Sequence, residues 1–426
     1  MTDVVSRLTG DPHTHQKLKG MYSICSAHPW VLAAAMSQAI ADDTPLLIES
    51  TSNQVDQFGG YTGMKPEDFV RFVHLIADRV GLPRERIVLG GDHLGPNAWR
   101  NLPAEEAMQR AEALIHAYVS AGFTKIHLDT SMSCQGDAER LSDDVVAERA
   151  ARLCAVAEAA ADGNGRRQRP VYIIGTEVPV PGGAAEELDS VEVTHDSAAL
   201  DTVAVHRDAW RKRGLDAAWR RVIALVVQPG VEFDHTKVVD YKPELATSLS
   251  GVLRHLPDMV FEAHSTDYQT PEALAALVRD GFAILKVGPG VTFALREALY
   301  ALADIEDEIV APDTGSNLRE VVETVMLAKP GNWQKYYHGD AQQQRLLRTY
   351  SYSDRVRYYW SDPEIDAAAR KLISNLSNQK IPENLLSRYL PEQYWQFRRG
   401  EIDGTPMSLI QSKVREVISA YAAACQ

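Results

Sequence analysis

The sequence predicts a (β/α)8 barrel carrying a mostly helical C-terminal appendage. Eight short apolar runs between Gly20 and Ala301 each close on a polar cluster, and amphipathic helical stretches separate them. Several runs (LLIE, IVLG, VYIIG, VIALVV) show little polar alternation, the pattern of parallel strands covered on both faces. The helical stretches open with Pro or an acidic residue and end near Gly, the expected start and stop chemistry. The open doubly wound sheet is the structural alternative, but the GxGxxG turn that marks its first strand is missing.

The runs are Met21–Ile24, Pro45–Ile48, Arg86–Leu89, Lys125–Leu128, Val171–Ile174, Val222–Val227, Met259–Phe261 and Ala283–Val287. Between them lie helical segments such as PWVLAAAMSQAIADD, PEDFVRFVHLIADRV and AEEAMQRAEALIHAYVSAG. Residues 182–205 lengthen the loop after the fifth run, at the end where barrel active sites lie. The barrel is assigned to residues 1–301. Residues 302–426 hold further helical segments and the aromatic-rich stretch NWQKYYHGD…SYSDRVRYYW, and are read as an appendage packed on the barrel.

Composition narrows the function. Of 426 residues, 45% are hydrophobic and 24% charged, and the formal net charge is -14. Such a surface repels phosphate backbones and anionic lipid, so neither nucleic acid nor membrane is an expected partner. Four scattered cysteines without CxxC spacing read as free thiols. No run reaches the ~20 apolar residues of a membrane span, and the polar N-terminus lacks a secretory core. A cytoplasmic location is expected.

In a barrel the reactive groups sit just beyond the C-terminal ends of the strands. There the sequence places Glu49, Ser50 and Asn53 after the second run, Asp92 and His93 after the third, and Asp129 after the fourth. Glu177 follows the fifth, His235 the sixth, and Glu262, His264 and Ser265 the seventh. The eighth supplies Lys286 and the turn Gly288-Pro289-Gly290. His93, His235 and His264, each near carboxylates, fit a divalent-metal site of Zn²⁺ or Mn²⁺ type acting as a Lewis acid on a hydroxy-carbonyl substrate. His127 lies within its run, which favours packing. Asp92, Asp129, Glu177 and Glu262 are the acid/base candidates; each also suits a structural salt bridge. Backbone N–H groups of Gly288 and Gly290 at a helix start would cradle a phosphate. Lys286 adds a cation, and Arg355 and Arg357 of the appendage suit either a phosphate clamp or packing.

The motifs GMYSICSAHPWVLAAAM, IESTSNQVDQFGGYTGM, GGDHLGPNAW, HLDTSMSC, GTEVPVPGG, EAHSTDYQT and KVGPGVTFALREALYAL, taken in order, resemble the tagatose-bisphosphate aldolase accessory-subunit family. The resemblance spans nearly the whole chain. It implies either a non-catalytic subunit that stabilises a class II aldolase or a D-tagatose 6-phosphate 4-epimerase acting on a small phosphorylated ketose; a homo-oligomer is a further expectation. A kinase label also used for this family finds no GxxxxGK[ST] cradle here. More distantly the sequence is similar to class II aldolases, whose catalytic Asp-His pair and last metal-binding histidine look like Asp92-His93 and His264. Their middle histidine has no clean counterpart; His235 is nearest, and Glu177 is the substitute.

Overall fold

The computed structural model describes residues 4–9, 18–163, 168–176, 183–184 and 191–426. Eight parallel strands close into a barrel: β1 (Met21–Ile24), β2 (Leu46–Thr51), β3 (Ile87–Leu94), β4 (Lys125–Leu128), β5 (Val171–Ile174), β6 (Val222–Val227), β7 (Val260–Ala263) and β8 (Ile284–Val287). Each pairs with its sequence neighbours, and β8 returns to β1 through Met21 opposite Ile284. A helix follows every strand, and several begin at Pro, as at Pro29, Pro66, Pro271 and Pro289, where the missing N–H costs nothing.

Alternation along the strands divides the core in two. Ile24, Leu46, Ile48, Ile126, Leu128, Phe261 and Leu285 pack outward against the helices. Met21, Leu47, Val88, Val171, Ile173, Val226, Val260 and Ile284 fill the lower interior, with Leu8 of the N-terminal helix among them. The upper interior is polar. Ser23, Glu49, Lys125, His127 and Glu262 are each fully buried there, continuing the inward-facing positions of their strands.

β2 and β3 extend beyond the predicted runs, because the barrel mouth buries Glu49, Ser50 and Asp92 within paired strand instead of releasing them as loops. Of the loop expected at residues 182–205, residues 196–205 belong to the helix Asp196–Lys212. The boundary at residue 301 falls inside the continuous helix Pro289–Ile309. Beyond it the appendage returns to the barrel, where helix Pro406–Cys425 lies against helices Pro29–Asp42, Pro271–Arg279 and Pro289–Ile309. Among the described residues, no helix is long and apolar enough to cross a membrane.

Candidate active site at the barrel mouth

The site begins with an irregularity in β3. Pairing with β4 shifts register between Gly91 and Leu94, and His93 takes a left-handed φ of 49°. In a regular strand Asp92 and His93 would face opposite sides; a bulge re-aims the second side chain. Both therefore line one cleft. Its walls include Asn53 and Tyr61 beyond β2, His264, Ser265 and Asp267 beyond β7, Lys286 of β8 and Gly288 just after it. Arg357 and Tyr358 of the appendage complete them.

Beneath the cleft lies a compact ionic lattice. Lys125 Nζ is 2.5 Å from Glu49 Oε1 and 2.7 Å from Glu262 Oε2. Lys286 Nζ pairs with Glu49 Oε2 and lies 2.9 Å from Asp92 Oδ1. Ser23 Oγ donates to Glu49 Oε2 at 2.8 Å. Burial alone would raise the Glu262 pKa, but Lys125 and His264 hold it down at about 2. Burial lowers Lys286 to about 8, and raises the neighbouring Cys25 thiol to about 11.

Three imidazoles meet above this lattice. Ring centroids of His93 and His264 are 4.9 Å apart, and each lies 5.2 Å from His127. His93 Nδ1 is 2.8 Å from Asp129 Oδ2, and Asp129 is itself anchored by the Ser131 amide and hydroxyl. Burial disfavours the His93 imidazolium, yet Asp92, Asp129 and Glu262 outweigh it and raise the pKa to about 9. Both aspartates are correspondingly held below the ordinary carboxylate range, against the effect of their burial. His264 Nε2 is 3.0 Å from Glu262 Oε1, but desolvation prevails and lowers its pKa.

The residues present fit a divalent cation. Donor atoms of Asp92, His127, Glu262 and His264 all lie within 4.8 Å of one another. His127 Nδ1 is 2.9 Å from Asp92 Oδ1, while its Nε2 is buried without a hydrogen-bond partner. An orphaned imidazole nitrogen on a ring whose other nitrogen is fixed by a carboxylate is a metal-ligand arrangement.

Several expected site residues lie elsewhere or do other work. His235 sits in the turn between the short strands Glu232–Phe233 and Val238–Val239. Its ring nitrogens lie 3.1 Å from Ser351 Oγ and 3.0 Å from the Tyr336 carbonyl, so it docks the hairpin on the appendage and is not part of the converging donors. Ser50 follows the outward face of β2 and bonds Tyr118. Arg355 stacks 3.5 Å from the Tyr336 ring centroid and bonds the Asn332 carbonyl, leaving Arg357 as the arginine that lines the cleft. The amides of Gly288 and Gly290 both donate to Asp267 Oδ1, at 2.9 and 2.7 Å, so the expected phosphate cradle holds the chain's own carboxylate. Glu177 falls outside the described residues.

The sequence alone gives Lys125 no role and assigns His127 to packing, whereas both are buried at the site. The run KIHL alternates polar and apolar side chains, and inward-facing positions of a barrel strand recur every second residue. That alternation was the available signal.

The GatZ/KbaZ-like model, described as D-tagatose-1,6-bisphosphate aldolase subunit, matches residues 8–426. The chain is 54% identical to a protein of Sinorhizobium meliloti 1021 described as a probable tagatose 6 phosphate kinase, with a TM-score of 0.89 over 95% of this chain and all of that one. A fructose-bisphosphate aldolase of Campylobacter jejuni aligns at 13% identity and TM-score 0.42, over 84% of this chain and 88% of that one. The YdjI aldolase of Escherichia coli K12 aligns at 10% identity and TM-score 0.40, over 90% of this chain and all of that one. At those scores the two aldolases carry no argument about this site. Matched from residue 8 to its last residue, the chain belongs to the D-tagatose-1,6-bisphosphate aldolase subunit GatZ/KbaZ-like family.

Proposed function

We propose that the chain is a metal-dependent D-tagatose 6-phosphate 4-epimerase, interconverting that sugar with D-fructose 6-phosphate by retro-aldol and aldol steps. The observation that carries this reading is the convergence of Asp92, His93, His264 and Lys286 on one cleft that also exposes Arg357. Acid, base, cation and anion anchor then face the same small volume.

Asp92, held ionised, accepts the proton of the C4 hydroxyl. The C3–C4 bond breaks; C4 becomes an aldehyde, and the electron pair moves to the three-carbon fragment as an enediolate. Lys286 faces that developing charge from β8. Asp129 fixes the His93 ring and Glu262 fixes that of His264, so neither imidazole must reorganise during the reaction. A divalent cation of Zn²⁺ or Mn²⁺ type, held by His127, His264 and Glu262, with Asp92 and His93 adjacent, would supply Lewis-acid polarisation of the substrate oxygens. Arg357 holds the phosphate. The aldehyde fragment turns its other face, the C3–C4 bond reforms, and Asp92 returns the proton to the C4 oxygen.

Purified chain alone, incubated with D-tagatose 6-phosphate and followed by NMR, is expected to yield D-fructose 6-phosphate without free glyceraldehyde 3-phosphate. In D₂O no deuterium should enter C4, because the C4–H bond never breaks; stoichiometric label there would overturn the retro-aldol route. EDTA should abolish turnover and a divalent ion restore it. The family description as an aldolase subunit favours a second reading, stabilisation of a separate class II aldolase. An inert chain that extends the lifetime of such an enzyme would establish that reading instead.

A further inference from the structure

We propose that Asp267 is a specificity-determining residue that excludes a second phosphate from the substrate, an inference that rests on the monophosphate reading above. The turn after β8 opens helix Pro289–Ile309, and free amides at such a helix start would attract a phosphoryl group. Here one carboxylate oxygen takes the amides of both Gly288 and Gly290. Asp267 is 3% exposed yet lines the substrate cleft. Its fit is close: a Cβ on Gly290 would lie 3.1 Å from Asp267 Oδ1.

The surrounding loop holds it there against backbone strain. Ser265 and Tyr268, on either side, have φ of 52° and 66°, uncommon for residues with a side chain. Thr266 Oγ1 donates to the Lys286 carbonyl, Tyr421 OH to the Thr266 carbonyl and Tyr268 OH to the Tyr352 carbonyl, each at 2.6 Å. Elements of the barrel and the appendage thus converge to fix a carboxylate over the amides. A phosphoryl dianion arriving there meets like charge and donors already used, whereas a hydroxymethyl group meets an acceptor. Rejection by a built-in repulsive group is the efficient way to discriminate two ligands that share most of their atoms.

The test measures calorimetric binding of D-tagatose 6-phosphate, D-tagatose 1,6-bisphosphate and inorganic phosphate to wild type, Asp267→Ser and Asp267→Asn, with circular dichroism as the folding control. Wild type is expected to bind the bisphosphate at least about tenfold more weakly than the monophosphate. Asp267→Ser should shift that ratio by about tenfold or more toward the bisphosphate and gain affinity for inorganic phosphate. Asp267→Asn keeps an oxygen for the amides but loses the charge, and should shift the ratio by a smaller factor. An unchanged ratio in a folded variant, or no discrimination by wild type, overturns the proposal; if the serine variant does not fold, the asparagine variant decides. Should wild type neither bind nor convert the sugars, the epimerase reading fails, and the gain or absence of inorganic phosphate binding in the variants still decides the role of Asp267.

Discussion

Lys125→Met is the most demanding perturbation of the barrel mouth. The Lys125 side chain is fully buried and lies 2.5 Å from Glu49 and 2.7 Å from Glu262, both also fully buried. Methionine matches the length of the stem but leaves two carboxylates facing each other across its former position, with Lys286 as the remaining ammonium shared between them. Removing one partner of a buried ion pair costs about 3–5 kcal/mol, and here one cation serves two anions, so the loss belongs at the upper end. Equilibrium urea unfolding at neutral pH reads it directly. The pH dependence gives a second handle. Glu262, held at about 2 in the folded wild type against an ordinary 4.5, adds stability above 4.5 that disappears as pH falls through about 2. Without Lys125 that depression shrinks, so the gap between wild type and variant should be widest at neutral pH and close under acid. The double variant Lys125→Met/Glu49→Gln should recover part of the loss, since one stranded charge is gone. A loss below about 1 kcal/mol, the scale of exposed pairs, would refute the idea that this lattice is desolvated.

Three further outcomes are expected. Asp129→Asn should lower the His93 pKa from about 9 in metal-stripped protein, read by NMR of the imidazole. Because that pKa is raised above an ordinary 6.5, His93 adds stability below 6.5 that is lost as pH rises through about 9; the variant should lose part of this slope, Asp92 and Glu262 keeping the rest. Arg357→Ala should raise KM for the sugar monophosphate by about 10- to 100-fold, the value of a charge-assisted hydrogen bond, with a smaller effect on kcat; an unchanged KM would remove Arg357 as the phosphate anchor. Gly90→Ala should lower kcat steeply with β3 still formed, because a Cβ there collides with the Glu49 carboxylate and displaces the lattice; full activity would show that Glu49 can move without consequence.

The strands were legible because apolar runs ending in polar clusters follow from burial on both faces. The same rule located Asp92, His93, His264 and Lys286 at the barrel mouth. It faltered where a position depends on the far side of the ring. His235 has carboxylate neighbours in sequence, yet its nitrogens are taken by Ser351 and Tyr336, more than a hundred residues away. Gly288 and Gly290 have the composition of an anion cradle, and only the fold reveals that Asp267 reaches them. Lys125 and His127 were masked by their own strand: a lysine and a histidine inside a four-residue run read as packing until alternation is followed inward.

The interior also bears on the choice between an enzyme and a stabilising partner. Its lower half is closed by Val88, Val171, Ile173, Val226, Val260 and Ile284, so this ring can be filled with aliphatic side chains. Its upper half instead buries Glu49, Asp92, Lys125, Asp129, Glu262 and Lys286. Replacing such ion networks with well-packed apolar residues is often neutral or stabilising, so stability alone does not account for the polar half. A surface that merely supported another subunit would lie on the outside of the barrel and place no demand on these positions. Charges kept dry beneath a cleft that Asp92, His93, His264 and Lys286 line, with imidazoles fixed by Asp129 and Glu262, make sense as the support of groups that meet a substrate.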